Sequence, residues 1–190
     1  MDQMTLKDVE EYGVDRILSE LRNVLLQGAY RAQPVLRRYI PKNDGKKRPL
    51  GIPTVKDRIV QASAKLVIEP IFEADFRDCS FGFRPKRSAL NALERIRLLA
   101  NKGRNVVLDG DIKDYFGSIR HDKLIDLLER RVSDRRVLKL VRQWLKAGVL
   151  EEGRFQETLL GTPQGGVISP LLSNVYLNEL DKQWEENHAS

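Results

Sequence analysis

Val106-Val107-Leu108-Asp109-Gly110-Asp111-Ile112-Lys113-Asp114-Tyr115-Phe116-Gly117-Ser118-Ile119 is the stretch on which the reading of this 190-residue chain turns. An apolar, β-branched run ends abruptly in carboxylates and is followed by an aromatic pair. The pattern predicts a buried strand from Asn105 to Ile112 that delivers Asp111 to its end. That is one way to hold a metal ion beside a phosphate. Taken alone, Asp111 reads as an ordinary strand-end carboxylate, so its meaning depends on what else shares its site.

Composition narrows the classes. The chain is long enough for one sizeable core or two small lobes. No apolar stretch approaches the roughly 18 residues of a membrane span, and Met1 to Tyr12 lacks the charged-then-apolar order of a signal peptide. A soluble cytoplasmic protein without a membrane partner is expected. One cysteine, Cys79, excludes an internal disulfide and a cysteine-cluster metal site. Only His121 and His188 supply imidazole, which argues against zinc. The net charge of +6 is unevenly placed: residues 1–110 carry 21 Lys/Arg against 14 Asp/Glu, and residues 111–190 carry 12 against 13. Residues 31–58 hold nine basic side chains and two acidic ones. A local field of this sign suits a polyphosphate partner, although a solvated basic face has the same composition.

Working outward, Leu6 to Gln27 has helical spacing, with Gly28 as its stop. Val35 to Ile40 and Leu50 to Pro53 predict two short strands joined by a basic hairpin around Asn43-Asp44-Gly45. Thr54 or Asp57 caps a helix that Pro70 should kink or end. Ser88 caps a helix closed by Gly103. His121 opens a helix through Leu128, and a second runs from Arg135 to Ala147. A hairpin is expected around Glu151-Glu152-Gly153, and Ser169-Pro170 opens a last helix through Leu180.

Several pieces carry chemistry. Asp111 and the carbonyl of Ile112 are oxygen donors suited to Mg²⁺. Phe116 follows five residues after Asp111, and an aromatic beside a nucleotide's sugar can exclude a 2′-hydroxyl, although spacing alone favours Tyr115 and Phe116 as core. Lys42 and Arg48 flank the hairpin tip and can clasp a triphosphate, Arg as a bidentate fork and Lys as a point charge. In Gly161-Thr162-Pro163-Gln164-Gly165-Gly166, small residues allow close backbone approach to a ligand and Gln164 hydrogen-bonds without charge.

The order of these pieces is more specific than any one of them. Ile40-Pro41-Lys42 through Gly45-Lys46-Lys47-Arg48-Pro49-Leu50-Gly51-Ile52-Pro53 comes first. Cys79-Ser80-Phe81-Gly82-Phe83-Arg84-Pro85 with Ser88 follows. Gly110-Asp111-Ile112-Lys113 with Tyr115-Phe116 and Ile119 comes third, and Gly161 to Pro170 last. This succession resembles the reverse transcriptase domain of bacterial group II intron-encoded proteins, intron maturases included. Retron, diversity-generating and CRISPR-associated relatives share much of the same pattern.

The resemblance implies an α+β fold: the fingers subdomain of a right-hand polymerase plus a partial palm, helix-rich with short antiparallel strands. Residues 1–105 would form an N-terminal extension and fingers, and 106–190 part of the palm. It implies RNA-directed DNA synthesis in retrohoming, with a splicing role, and as partners template and intron RNA, a DNA primer and dNTP. Asp111 becomes a catalytic carboxylate and metal ligand assisted by the Ile112 carbonyl. Asp114 and Tyr115 fall where backbone amides face the triphosphate, and Phe116 falls at the sugar gate. Lys42 and Arg48 grip the triphosphate, and Gln164 lies near the nascent base pair. Arg31, Arg37, Arg38, Lys46 and Lys47 lie along RNA. Two Mg²⁺ ions would serve attack of a primer 3′-hydroxyl on the dNTP α-phosphate.

One departure stands against these matches. The family's aromatic–Ala–Asp–Asp motif, which brings the other catalytic carboxylates, does not occur in residues 1–190, and Phe72-Glu73-Ala74-Asp75 has only one Asp. The thumb, maturase and endonuclease domains are expected to be absent too. The fragment is therefore expected to be inactive alone and prone to self-association through an uncovered palm, with a non-catalytic RNA-binding module as the alternative role.

Overall fold

The computed structural model describes residues 4–41, 45, 47–162 and 165–188. Lys42, Lys46 and Gln164 lie outside them.

The N-terminal periodic stretch folds as two helices, Leu6–Tyr12 (α1) and Val14–Leu26 (α2). Gly13 divides them with φ +102°, a backbone angle that suits glycine, so the continuous apolar spacing survives while the helix does not. Thr5 and Asp8 form a capping box at the start of α1.

Val35–Pro41 (β1) and Lys47–Ile52 (β2) form the expected basic hairpin, with Leu36 opposite Ile52 and Ile40 opposite Arg48. Val149–Glu151 (β3) and Arg154–Gln156 (β4) form the second hairpin. The two hairpins are one sheet. Val35 and Leu36 pair in parallel with Val149 and Leu150, giving the order β2-β1-β3-β4. The sheet is therefore mixed rather than wholly antiparallel.

Val55–Glu73 (α3) starts on Thr54, whose hydroxyl accepts from the Asp57 amide, and continues through Pro70. Pro70 removes the bond to the Leu66 carbonyl on the exposed side of the last turn, where water can replace it. Ala89–Asn101 (α4) begins with a Ser88–Asn91 capping box. Tyr115–Ser118 (α5), His121–Glu129 (α6), Arg135–Lys146 (α7) and Ser169–His188 (α8) follow. The last is longer than its apolar spacing predicts.

One buried cluster runs from Ile17 and Leu21 through Val60, Ile68 and Phe72 to Leu124, Leu128, Trp144, Ile168 and Leu172, with no buried member from α4. A polar knot crosses it. The Asp57 carboxylate, almost fully buried, accepts from the Tyr30 hydroxyl, from Thr54 Oγ1 at 2.8 Å and from the Gln33 amide at 3.2 Å. Trp144 Nε1 donates to the Tyr30 oxygen at 2.9 Å. Three separate segments are thereby tied together around one carboxylate.

A second knot organises the irregular stretch after α3. Arg84 is buried, and its guanidinium grips Glu73 while Nη1 donates to the carbonyls of Arg77 at 2.7 Å and Ser80 at 3.0 Å. Phe83 and Lys86, on either side, adopt φ +56° and +60°. A left-handed backbone at a bulky residue costs about 1–3 kcal/mol and persists only where its surroundings over-determine it.

The strand expected over 105–112 does not form. The segment has no regular structure, and Val106, Val107 and Leu108 are 96%, 79% and 85% exposed. A β-branched run becomes a strand by pairing with a ladder and covering a face. Among the described residues the one sheet lies elsewhere, so neither condition is met. Asp111 is correspondingly exposed and not at the end of a buried strand.

Removing the Asp57 carboxylate leaves the Tyr30 and Thr54 hydroxyls and the Gln33 amide short of an acceptor. Asp57→Ala should therefore lower stability by about 2–4 kcal/mol, read as a shift in the urea midpoint at constant slope. Burial, and then the bond to Asp57, push the Tyr30 hydroxyl far above the ordinary tyrosine pKa. The unfolded chain then loses this proton first, near pH 10, so stability is full below about pH 10 and falls above it. Tyr30→Phe should flatten that alkaline loss in pH-dependent denaturation.

Candidate nucleotide and nucleic-acid site

Three of the sequence blocks meet around a cleft of about 260 Å³. One wall is the sheet face that carries Val35, Arg37, Pro49 and Gly51. The other is built from Asp114, Gly117 and residues 158–162.

The second wall is assembled by backbone bonds. The Gly161 amide donates to the Ile119 carbonyl at 2.8 Å, and the Thr162 amide to the Phe116 carbonyl at 2.9 Å. His121 Nε2 lies 2.7 Å from the Gly161 carbonyl and donates to it. The start of α6 is held by Arg120, which binds Asp122 and, with the Lys123 amide, lowers that carboxyl to about 2. Close approach requires the glycines. A Cβ at Gly161, where φ is +85°, would sit 2.8 Å from the Phe116 carbonyl oxygen. One at Gly165 would sit 2.7 Å from the Gly51 carbonyl oxygen of β2. Gly161 is thus pressed against the 114–118 turn, and Gly165 against the β1–β2 hairpin.

Asp114 has φ +48° and precedes α5, with its carboxylate over Gly117. Tyr115 and Phe116 are half-buried, with ring centroids 5.6 Å apart in an edge-on arrangement. The Tyr115 hydroxyl donates to the Ser173 carbonyl at 2.7 Å, and burial raises its pKa. Tyr115 is therefore spent on α8, and its backbone is what remains for a ligand.

The cleft brings Arg37 and Asp114 together. Arg37 and Thr162 both line it, and the Arg37 Nε and Thr162 Oγ1 atoms are buried without a hydrogen-bond partner. Buried polar atoms of this kind mark a part of the wall whose polar capacity is unused. Arg38, Lys47 and Arg48 are exposed along the hairpin, outside the cleft. Arg31 is turned inward on its own chain, with Nη1 donating to the Gly28 and Tyr30 carbonyls. Ile112 and Tyr115 line a separate hollow beside Tyr176 and Leu180.

The metal chemistry does not close here. Asp111 and the Ile112 carbonyl are hard oxygen donors of the right type, but among the described residues no three Asp, Glu, His or Cys side chains converge to hold an ion. No step through Mg²⁺ follows from these residues. Sequence reasoning missed Thr162 and His121: Thr162 is visible only as a member of the Gly-rich loop, and His121 only as a helix start.

The family model for reverse transcriptase (RNA-dependent DNA polymerase) matches residues 40–190. The chain belongs to the reverse transcriptase family. Among its relatives, Protein YkfC of Escherichia coli K12 is 45% identical over 178 residues, covering 91% of this chain and 46% of its own. Group II intron-encoded protein LtrA of Lactococcus lactis subsp. cremoris is 43% identical over 179 residues, covering 94% and 29%. The chain therefore spans less than half the length of either. A chain of the partial Cas6-RT-Cas1–Cas2 complex superposes with a TM-score of 0.58 at 26% identity, over 90% of this chain and 30% of that one. The family implies a nucleic-acid partner, and among the described residues no helix is long and apolar enough to cross a membrane.

If the Gly161 contact sets the wall, Gly161→Ala should cost about 2–4 kcal/mol through the positive φ and the clash with a backbone carbonyl. His121→Ala should cost about 1 kcal/mol. In hydrogen exchange both variants should speed the Gly161 and Thr162 amides while leaving the Asp57 amide protected.

Proposed function

We propose that this chain supplies the fingers and part of the palm of a group II intron reverse transcriptase acting in the bacterial cytoplasm. There it binds template RNA and dNTP for cDNA synthesis in retrohoming and takes part in splicing. Residues 1–105 act as N-terminal extension and fingers, and 106–190 as partial palm. The observation that carries this reading is the backbone junction joining the Gly-rich loop, the 114–118 turn and Gly51 around one cleft. The 43% identity to an intron-encoded protein supports that branch over the others.

In this reading Arg37 and Thr162 meet the polar groups of the nucleotide or template at the cleft. Phe116 bars the 2′-hydroxyl, and the backbone at Asp114 and Tyr115 faces the triphosphate. Arg48 grips the triphosphate with Lys42, and Gln164 lies against the nascent pair. Asp111 and the Ile112 carbonyl would contribute two donors to Mg²⁺, which needs further carboxylates to be held.

The basic stretch 31–58, nine Lys/Arg against two Asp/Glu, favours a second role, gripping RNA without copying it. The 190-residue chain should give no primer extension on an RNA template with dNTP and Mg²⁺. Robust incorporation that disappears in Asp111→Ala would overturn this. RNA affinity should fall steeply with salt, by about 0.7 in log–log slope per phosphate contacted on a single strand. Neutralising Arg37, Arg38, Lys46 and Lys47 together should weaken binding and flatten the slope, while Asp111→Ala leaves both intact. Salt-insensitive binding, or binding indifferent to the four substitutions, sinks the RNA reading. Self-association belongs to the same reading, because Val106 to Leu108 and the apolar residues Leu90, Leu93 and Ile96 of α4 are exposed together. A sharp monomer peak in size-exclusion chromatography at high concentration would rule it out.

A further inference from the structure

Phe83 is the least economical residue in the molecule. Its backbone has φ +56°, where glycine or asparagine is favoured, yet its ring is 69% exposed and so gains little from burial. The loop is nevertheless held firmly. Arg84 fastens it to Glu73 and to the Arg77 and Ser80 carbonyls, and Asn174 Nδ2 of α8 binds the Gly82 carbonyl at 2.8 Å. The neighbouring ring, Phe81, is half-buried with the Arg87 guanidinium 5.5 Å from its centroid, so Phe83 is the one left bare. Strain enforced from below and spent on displaying an aromatic ring is the mark of a contact residue.

We propose that Phe83 is a stacking platform for a base of single-stranded nucleic acid. The inference rests on the nucleic-acid reading above and adds a contact outside the cleft. Charge decides the class of partner. Three residues on, Lys86 is exposed, also left-handed, and in no ion pair among the described residues. An aromatic ring followed this closely by an unpaired cation fits a base and its phosphate, since every base offers a π-face and every linkage an anion. The rigid loop removes the entropy that a mobile aromatic would lose on stacking.

The test uses this 190-residue chain and a single-stranded RNA carrying 2-aminopurine, with affinity from fluorescence anisotropy at several salt concentrations. Phe83→Gly should weaken binding about 10-fold or more. It should also abolish the stacking-dependent quenching of 2-aminopurine. Because no charge is removed, the salt slope should match the unsubstituted chain. The thermal midpoint should be equal or higher, because glycine relieves the left-handed backbone. Phe83→Trp should restore affinity and quenching. Binding by Phe83→Gly within 2-fold of the unsubstituted chain, with the slope still responding to Arg38 and Lys47 substitution, overturns the inference alone and leaves the ring to a protein contact. Absence of salt-dependent binding by the unsubstituted chain overturns the nucleic-acid reading and this inference together.

Discussion

A single carboxylate buried between three segments sets the geometry on which the cleft depends. Asp57 sits in the first turn of α3 and accepts from the chain just before β1, from its own helix cap and from Tyr30, which Trp144 of α7 also contacts. An ionised group out of water is tolerable only while donors surround it. Each of those segments is therefore held at hydrogen-bond distance from the others. β1 starts two residues after Gln33, so the position of Arg37 in the cleft is inherited from this charge. Hydrophobic burial around Ile17, Val60 and Leu145 stabilises the same arrangement without dictating it, because apolar contact is not directional.

The site is a matter of backbone proximity more than of side-chain reach. Gly161 and Gly165 let main chain lie on main chain, and Gly117 lets it lie under a carboxylate. The charged residues nearby are mostly displayed by that frame. This explains why a short turn such as α5, with no buried residue of its own, can be a fixed wall: its Phe116 carbonyl and that of Ile119 just after it are both bonded to the 161–162 segment.

Local chemistry was legible in the sequence where the cause is local. Ser88 and Thr54 cap helices as their side chains predict, the basic hairpin forms, and Arg135 to Lys146 follows its 3.6-residue apolar stripe. What needed a distant partner was not. Val106 to Leu108 carry strong strand propensity, but propensity is expressed only against a neighbouring strand, and none lies there among the described residues. The parallel β1–β3 pair was equally invisible, since nothing in Val35 or Val149 names the other. For the site, motif order pointed to Asp114, Phe116 and the Gly-rich loop. Thr162 and His121 went unseen because their importance lies in distances across the fold, 2.7 Å from a ring nitrogen to a carbonyl oxygen in the case of His121. Phe83 stood in a recognised block, but its left-handed backbone has no signature in residue type.

The mixed sheet also bears on how the molecule is made. During synthesis, β1 and β2 emerge as a hairpin with an open inner edge, and the strand that closes it begins only at Val149. More than a hundred residues must leave the ribosome before Val35 finds its partner. Pairings of such sequence separation are entropically slow to close, and an unpaired edge is a template for wrong pairings meanwhile. The basic side chains that fringe this hairpin, Arg37, Arg38, Lys47 and Arg48, repel copies of themselves. The charge suited to holding a polyanion thus guards the nascent strand until its sheet is complete.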